Sequence, residues 1–226
     1  DTDGIFMAYR RAAAWNPVEE GVETEGLRHF LTQMPKSDTA QHGRLHHYCS
    51  PHSDVLGWVI ERAGNASFAE QFSEHILAPC GGSHTGYITL DTYGAPRVSG
   101  GMCLSLYDLL LIGEMVRNRG YINQLQVVPS AWIDDITAVR DNSIWRAQHN
   151  ADGPRLFTNG NYRSLWYQSG FADQEICGIG IHGQWLWINP QKEIVIVKMA
   201  SHDREVDSSI DQVMLAAFAA ISLALN

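Results

Sequence analysis

The sequence predicts an α+β fold in which an antiparallel sheet is flanked by helices. Three observations support this class. Apolar residues recur at helical spacing in several stretches before residue 160. From about Tyr162 onward, short stretches alternate polar and apolar residues or run apolar, as strands do. Residues 207–225 return to helical spacing, so a C-terminal helix is expected to pack on the sheet.

One domain is expected over residues 1–226, mainly helical and loop over 1–160 and sheet plus helix over 161–226. Residues 1–45 are expected to be rich in loops, because only residues 24–33 carry a helical pattern there.

Capping residues place the helices that follow. Ser53 and Asp54 are expected to cap a helix over residues 53–64. A second helix over 67–77 should stop at Pro79, which cannot continue a helix. Two further helices are expected, one over 106–119, capped by Ser105 and terminated by Gly120, and one from Pro129.

Two regions complete the plan of the chain. Residues 82–101 are rich in Gly, Ser and Thr and indicate a long loop, which is uncommon except over active sites. Asn189-Pro190-Gln191-Lys192 predicts the turn of an antiparallel hairpin. Strands are expected over residues 162–167, 177–181, 184–188 and 193–200.

Composition and charge indicate which classes of binding partner are improbable. The net charge of −9, with no basic cluster longer than Arg10-Arg11, argues against nucleic acid and an anionic membrane as partners. The four cysteines are widely spaced and are expected to be free and mostly buried. No cofactor is expected. The chain opens with Asp-Thr-Asp instead of methionine, which leaves the compartment undetermined.

Tyr48-Cys49-Ser50 is the most informative motif, because it leads directly into the apolar helix that begins near Asp54. A tyrosine can act in general acid–base catalysis when its position is fixed, so a tyrosine on a short loop in front of a helix is a candidate site residue. A nucleophilic Ser-x-x-Lys is absent from the sequence. The residues three places before Lys36, Lys192 and Lys198 are Gln33, Asn189 and Val195.

Four segments together resemble the serine β-lactamase-related hydrolases, with the greatest likeness to the 6-aminohexanoate-dimer hydrolases. They are Tyr48-Cys49-Ser50 with Asp54 to Trp58, Gly100 to Cys103 leading into Ser105 to Leu110, Gly180 to Gln184, and the hairpin of Trp187 to Pro190 with Val195 to Val197. Their order and separations are similar to those of the family. The resemblance implies a β-lactamase/transpeptidase-like fold and a serine hydrolase that cleaves an ester or amide through an acyl-enzyme.

The resemblance also implies residue roles. In the family, the lysine of Ser-x-x-Lys and the tyrosine of a Tyr-x-Ser/Asn motif share proton transfer. Tyr48 matches that tyrosine, and Ser50 matches the third position, where a side chain bonds the lysine or the substrate.

Substrate contacts come from two other places by the same resemblance. The strand that carries Ile181, His182 and Gly183 is expected to line the cleft, with the Ile181 amide as the second oxyanion donor. Tyr9, in a loop over residues 5–9, matches a substrate-contacting tyrosine. His182 stands where β-lactamases place a lysine, so a small, neutral ester or amide is a more fitting substrate than a β-lactam.

The chain departs from the family in its first part. Only 47 residues precede Tyr48, too few for the Ser-x-x-Lys helix and the first strands of the family's sheet. The fold is therefore expected to be incomplete at its N-terminus. The edge strand over 193–200 would be left uncovered, which predicts self-association or a partner chain. The alternative function is a truncated relative without catalysis that needs a partner chain or is inactive.

Simpler interpretations stay open for each residue. Tyr48 could be a packing residue, Ser50 a turn residue before Pro51, and His182 a hairpin histidine whose ring is satisfied locally. A histidine-rich stretch raises zinc as a third hypothesis, but it lacks a His-Glu-x-x-His pattern, so no metal site is predicted. Its members are His42, His46, His47, Cys49, His52 and Asp54.

Overall fold

The computed structural model describes residues 2–17, 21, 23–36, 43–152, 156–172 and 174–225. The chain forms two compact units. The first, here called the helical unit, comprises Asp1–Ala40, His47–Glu74 and His84–Leu104. The second, here called the sheet unit, comprises Gln41–His46, His75–Ser83 and Ser105–Asn226.

Within its described residues, the helical unit contains four helices and a short hairpin. Its core is formed by Tyr9, Ala13, Leu27 and Ala95, with Trp15, Phe30 and Leu31 packed against them. The helices are α1 (Thr2–Ala12), α2 (Leu27–Gln33), α3 (Ser50–Gly64) and α4 (Phe68–Phe72), and the strands are β1 (Tyr87–Ile88) and β2 (Met102–Cys103). A π-helical segment, Ser73–Leu77, follows α4.

Two expectations about this unit are wrong in detail. The opening of the chain is a helix, α1, where loop was expected, because Tyr9 and Ala13 lie one helical turn apart and both enter the core. Helix α3 begins at Ser50, three residues before the predicted start, with Pro51 in its first turn. Asp54 is buried and lies inside the helix, so it does not cap it.

The predicted long loop over residues 82–101 is partly ordered. Strands β1 and β2 pair across it, and Leu90 and Pro96 form a further antiparallel bridge. The buried carboxylate of Asp91 closes the tip by accepting hydrogen bonds from the amides of Tyr93 (2.9 Å) and Ala95 (2.7 Å). Asp91 also accepts from the amide of Leu27 (2.7 Å), so it ties this hairpin to the start of α2.

The sheet unit contains a five-stranded antiparallel sheet in which each strand pairs with the next along the chain. Its strands are β5 (Asn161–Arg163), β6 (Trp166–Gln168), β7 (Ile176–Gly180), β8 (Gln184–Asn189) and β9 (Ile194–Lys198). A separate hairpin joins β3 (Tyr121–Ile122) and β4 (Leu125–Gln126). The helices are α5 (Leu106–Arg117), α6 (Ser130–Thr137), α7 (Ser143–Asp152) and α8 (Ser208–Ala224).

The strands lie near their predicted ranges with two exceptions: residues 162–167, and residues 181–183, which form a turn. The stretch 162–167 is a hairpin and not one strand, because Ser164 and Leu165 both adopt positive φ angles (48° and 71°). Two adjacent left-handed residues are the conformation that a tight hairpin turn requires. The β8–β9 hairpin is confirmed, and its turn is held by a hydrogen bond from the Lys192 amide to Asn189 Oδ1 (3.0 Å).

Strand β8 divides the core of the sheet unit into two layers. Leu186 and Ile188 point into a cluster with Met115 and Val116 of α5, whereas Trp185 and Trp187 point into the cluster that contains Phe218 of α8. This alternation follows from the two-residue repeat of a strand. Because both faces of β8 are buried, its sequence is a run of apolar residues and does not alternate between polar and apolar.

Local signals placed the start of α5 correctly and its end to within two residues. Ser105 Oγ accepts from the amide of Asp108 (3.0 Å) at the start of α5, as the sequence predicted. Gly120 (φ 83°) follows the end of the same helix, and its amide donates to the Met115 carbonyl (2.8 Å). The Asp108 carboxylate is itself buried and accepts from the Ser83 amide (3.1 Å), which joins the preceding loop to α5.

The four cysteines are free, as expected, although only two of them are buried. Burial raises the pKa of the Cys80 thiol and raises that of Cys177 well above its ordinary value. None of the helices in the described ranges has the length and apolar content that crossing a membrane requires.

Candidate active site

Tyr48 precedes a helix, as the sequence predicted, although that helix begins at Ser50 and not at residue 53. Tyr48 lies in the loop immediately before α3 and is 56 % exposed, and Ser50 is the first residue of the helix. Pro51 fixes the backbone in the first helical turn. The motif is therefore a largely exposed phenol carried two residues ahead of a rigid helix. The catalytic roles of Tyr48 and Ser50 stay predictions.

One turn after Ser50, a buried carboxylate anchors α3 to the rest of the helical unit. Asp54 is only 2 % exposed. Its Oδ2 accepts hydrogen bonds from Tyr9 Oη (2.6 Å) and Ser99 Oγ (2.9 Å), and its Oδ1 accepts from the Ser99 amide (2.9 Å). An ionised carboxylate can accept all three, so the buried charge is compensated by hydrogen bonds. This hub fixes the helix that carries the tyrosine motif.

Tyr9 occupies a different environment from the one predicted. It lies in α1 and not in a loop, and it is 1 % exposed. Burial raises the pKa of its phenol far above the ordinary value, and the neighbouring charge and hydrogen bond of Asp54 raise it further. Tyr9 therefore stays protonated and donates a hydrogen bond to Asp54. The geometry supports a structural role, and the predicted substrate contact stays a prediction.

The stability of the protein should consequently fall at alkaline pH through Tyr9. The unfolded chain loses the Tyr9 proton above its ordinary pKa of about 10, whereas the folded chain keeps it. The unfolded state then binds fewer protons, so the free energy of unfolding decreases as pH rises through that range, by up to about 1.4 kcal/mol per pH unit.

Urea unfolding at several pH values between 8 and about 11 measures this effect. Tyr9→Phe should show a shallower decline than the wild type, and the exposed Tyr93→Phe should keep the wild-type slope. Parallel declines for Tyr9→Phe and the wild type would rule out this origin.

Ile181, His182 and Gly183 form a turn, which corrects the expectation that they continue a strand. Strand β7 ends at Gly180, and the three residues form a short turn with non-helical backbone angles before β8. His182 (φ 60°, ψ 22°) and Gly183 (φ 84°) are both left-handed, and this reverses the chain direction. The prediction that the Ile181 amide is an oxyanion donor therefore concerns an amide at a strand end.

The segment that follows β9 holds this turn through its backbone. The His182 amide donates to the Glu205 carbonyl (2.9 Å), and the His202 amide donates to the His182 carbonyl (3.2 Å). Gln184, just after the turn, makes two hydrogen bonds with the backbone of Ala200. Its side chain donates to the Ala200 carbonyl and accepts from the Ala200 amide (3.2 Å).

Side chains of a lysine and two histidines also hold the turn against the segment that follows β9. Lys198 Nζ donates to the Gly183 carbonyl (2.8 Å) and lies 3.2 Å from His202 Nε2. His182 Nδ1 lies 2.7 Å from the His202 carbonyl, which can only accept, so this nitrogen carries a proton. Burial and the neighbouring Asp207 raise the pKa of Asp211, while Lys198 and His202 act in the opposite direction.

The predicted site residues thus fall into two groups. Tyr9, Tyr48 and Ser50 belong to the helical unit, where the Asp54 hub connects Tyr9 to the helix that begins at Ser50. Ile181, His182 and Gly183 belong to the sheet unit and share one turn.

The sequence did not point to Asp54, Ser99, Lys198 or His202 in these roles. Only Lys198 gave a usable signal, because it ends an otherwise apolar strand.

The histidine-rich stretch does not support the zinc hypothesis. His42 lies outside the described residues. The Asp54 carboxylate is turned toward Tyr9 and Ser99. Across the described ranges, no group of three or more His, Cys, Asp or Glu side chains is placed to hold a metal ion.

The fold and these segments define a class of protein. The family model described as Beta-lactamase matches residues 6–220, and the chain belongs to this family. It is also 28 % identical over 201 residues to the 6-aminohexanoate-dimer hydrolase of Paenarthrobacter ureafaciens, covering 89 % of this chain and 50 % of that protein. The chain therefore spans about half the length of this curated relative.

Two solved structures share the fold. One, described as a 6-aminohexanoate-dimer hydrolase from Bacillus anthracis, matches with a TM-score of 0.82 and 21 % identity, over 98 % of this chain and 54 % of that one. The other, described as a beta-lactamase from Bacteroides dorei, matches with a TM-score of 0.55 and 16 % identity, over 93 % and 69 %. The predicted β-lactamase/transpeptidase-like fold is confirmed.

Proposed function

We propose that this chain is the tyrosine-bearing part of a serine hydrolase that cleaves an ester or amide through an acyl-enzyme. The observation that carries this proposal is Tyr48, exposed directly ahead of α3, in a chain that belongs to the beta-lactamase family. The Asp54 hub supports it, because a proton-transfer residue works only when its position is fixed.

The chemistry assigns a separate task to each part. A serine hydroxyl attacks the substrate carbonyl, and its proton passes to the Tyr48 oxygen, acting with a lysine. The same proton then goes to the leaving alcohol or amine as the carbon–oxygen or carbon–nitrogen bond breaks, and water later hydrolyses the acyl-serine. A phenol is a weak base unless a cation favours its ionised form, so the lysine is required. The Ile181 amide donates to the developing oxyanion.

The nucleophile has to come from outside these residues. Ser-x-x-Lys does not occur in the 226-residue sequence, and the chain spans 50 % of the length of the Paenarthrobacter relative. We assign the serine and lysine to a region that corresponds to the unmatched part of that relative. The same absence favours the second candidate, a relative without catalysis that needs a partner chain or is inactive.

The edge strand β9 is consistent with pairing to a further strand from a partner. Within the described residues β9 pairs with β8 alone, although its side chains are apolar on both faces. Val195 and Val197 pack with the Met115 cluster, and Ile196 packs with the Trp185 cluster. A strand covered on both faces is typical of the interior of a sheet. We propose that a strand from the same unmatched region, or from a second copy of the chain, pairs with β9.

The substrate is proposed to be a small, neutral ester or amide. The relative acts on the 6-aminohexanoate dimer according to its name, and a compact amide is compatible with the few cations of this chain.

A chimera tests the proposed function directly. The unmatched part of the Paenarthrobacter relative is placed ahead of Asp1, and the product is assayed with p-nitrophenyl acetate, the 6-aminohexanoate dimer and a fluorophosphonate probe. We expect hydrolysis and labelling of a serine in the added part. The 226-residue chain by itself should show neither and should self-associate in sedimentation analysis.

Three outcomes separate the candidates. A folded, monodisperse chimera without hydrolysis or labelling favours the relative without catalysis. Hydrolysis by the chain alone contradicts the assignment of the nucleophile to another region. A monomeric chain that melts cooperatively on its own contradicts the need for a partner at β9.

A further inference from the structure

We propose that Lys198 and His202 are positioning residues, which hold the Ile181–Gly183 turn in the conformation that aims the Ile181 amide. The consequence for catalysis rests on the proposed function, whereas the control of the turn does not. Both residues lie in the sheet unit and outside the segments that the sequence singled out as the site.

The turn needs support from outside itself. His182 adopts φ 60°, a region that residues with a Cβ atom seldom occupy because that atom crowds the backbone. Gly183 (φ 84°) meets no such penalty, so the strain falls on His182. Contacts from the chain beyond β9 must therefore over-determine this conformation if it is to persist.

The supporting contacts come from two residues, Lys198 at the end of β9 and His202 beyond it. His202 takes part in two of them, since its amide donates to the His182 carbonyl (3.2 Å) and its carbonyl accepts from His182 Nδ1 (2.7 Å). Lys198 provides the third, through Nζ to the Gly183 carbonyl (2.8 Å). His202 therefore holds His182, and Lys198 holds Gly183.

Lys198 also connects those partners to each other. Its ammonium group lies 3.2 Å from His202 Nε2, and because an ammonium can only donate, this nitrogen is the acceptor. Lys198 thus contacts both the Gly183 carbonyl and the His202 ring. Loss of the lysine charge would remove both contacts.

Space around Gly183 shows how tightly the arrangement is packed. A Cβ atom at this position would lie 2.9 Å from His202 Nε2 and 3.0 Å from Lys198 Nζ. Any side chain at 183 would displace the lysine or the histidine, in addition to the strain of the positive φ. Gly183→Ala is therefore expected to disturb the same turn from the opposite side.

Amide NMR on the 226-residue chain tests the positioning. Lys198→Met should shift the Ile181, His182 and Gly183 amide signals, speed their hydrogen exchange by about tenfold or more, and change the imidazole nitrogen shifts of His202. Lys192→Met is the matched control, because Lys192 donates to the Ser222 carbonyl (3.2 Å) from the opposite end of the β8–β9 hairpin. It should leave these signals unchanged.

Three further variants keep the test decisive. Lys198→Leu likewise removes the ammonium group and should produce the same amide changes if Lys198→Met does not fold. His202→Ala keeps the backbone contacts to His182 and removes only the ring beside Lys198, so it should change these signals less. Gly183→Ala combined with Lys198→Met should change exchange less than the sum of the single effects, since both act on one turn. Unchanged amide shifts and exchange in folded Lys198→Met or Lys198→Leu protein would overturn the proposal.

The chimera separates this proposal from the proposed function. In an active chimera, Lys198→Met should lower kcat by about 10- to 1000-fold with little change in KM, as loss of an oriented oxyanion donor does. Unchanged kcat would overturn the catalytic consequence. An inactive wild-type chimera would count against the proposed function alone, because the amide measurements decide the positioning independently.

Discussion

Asp54→Ala is expected to lower the free energy of unfolding by about 3 kcal/mol, the largest loss that we predict for a single polar residue here. The substitution removes the acceptor for three donors in the interior of the helical unit: Tyr9 Oη, Ser99 Oγ and the Ser99 amide. A buried donor without an acceptor costs roughly 1–3 kcal/mol, and partial relaxation should keep the sum near the lower end.

Urea denaturation followed by circular dichroism measures this loss. Asp54→Asn should fall between alanine and the wild type, because an amide keeps the volume of the side chain but offers only one oxygen to the three donors. Glu74→Gln is the matched control at an exposed position and should change stability by less than about 0.5 kcal/mol. A loss below about 1 kcal/mol for Asp54→Ala would show that the hub contributes little.

The second large effect concerns catalysis by the chimera. Tyr48→Phe should lower kcat by about 100- to 10,000-fold, the range that a positioned proton-transfer group contributes. KM should change little, because the phenol is assigned to proton transfer and not to substrate binding. Stability should also be retained, since the side chain is 56 % exposed and phenylalanine preserves the ring.

Steady-state kinetics with p-nitrophenyl acetate and the 6-aminohexanoate dimer measure this effect. Tyr93→Phe is the control, because Tyr93 is an exposed tyrosine of the same unit whose hydroxyl donates to the Thr24 carbonyl (3.0 Å). It should keep wild-type kcat. Equal kcat for the Tyr48→Phe and wild-type chimeras would show that Tyr48 takes no part in catalysis. Tyr48 would then be a packing residue in the loop before α3.

Features encoded by neighbouring residues were predictable from the sequence. The helix behind Tyr48, the Ser105 cap of α5 and the β8–β9 hairpin each depend on contacts within a few positions, so their signals survive in a linear pattern. The family resemblance rests on the same local segments. Where short-range signals conflict, prediction failed: Ser164 and Leu165 look like strand residues but form a turn.

The tertiary structure alone decided which polar residues hold the candidate site in place. Asp54 looked like a helix cap, yet it bonds Tyr9 and Ser99, each 45 positions away along the chain. Lys198 and His202 reach back to Gly183 and His182 across the β8–β9 hairpin. Such pairings follow from how elements pack, and no periodicity or spacing encodes them. The sequence by itself therefore determined the fold class and the tyrosine motif, and packing determined what fixes them.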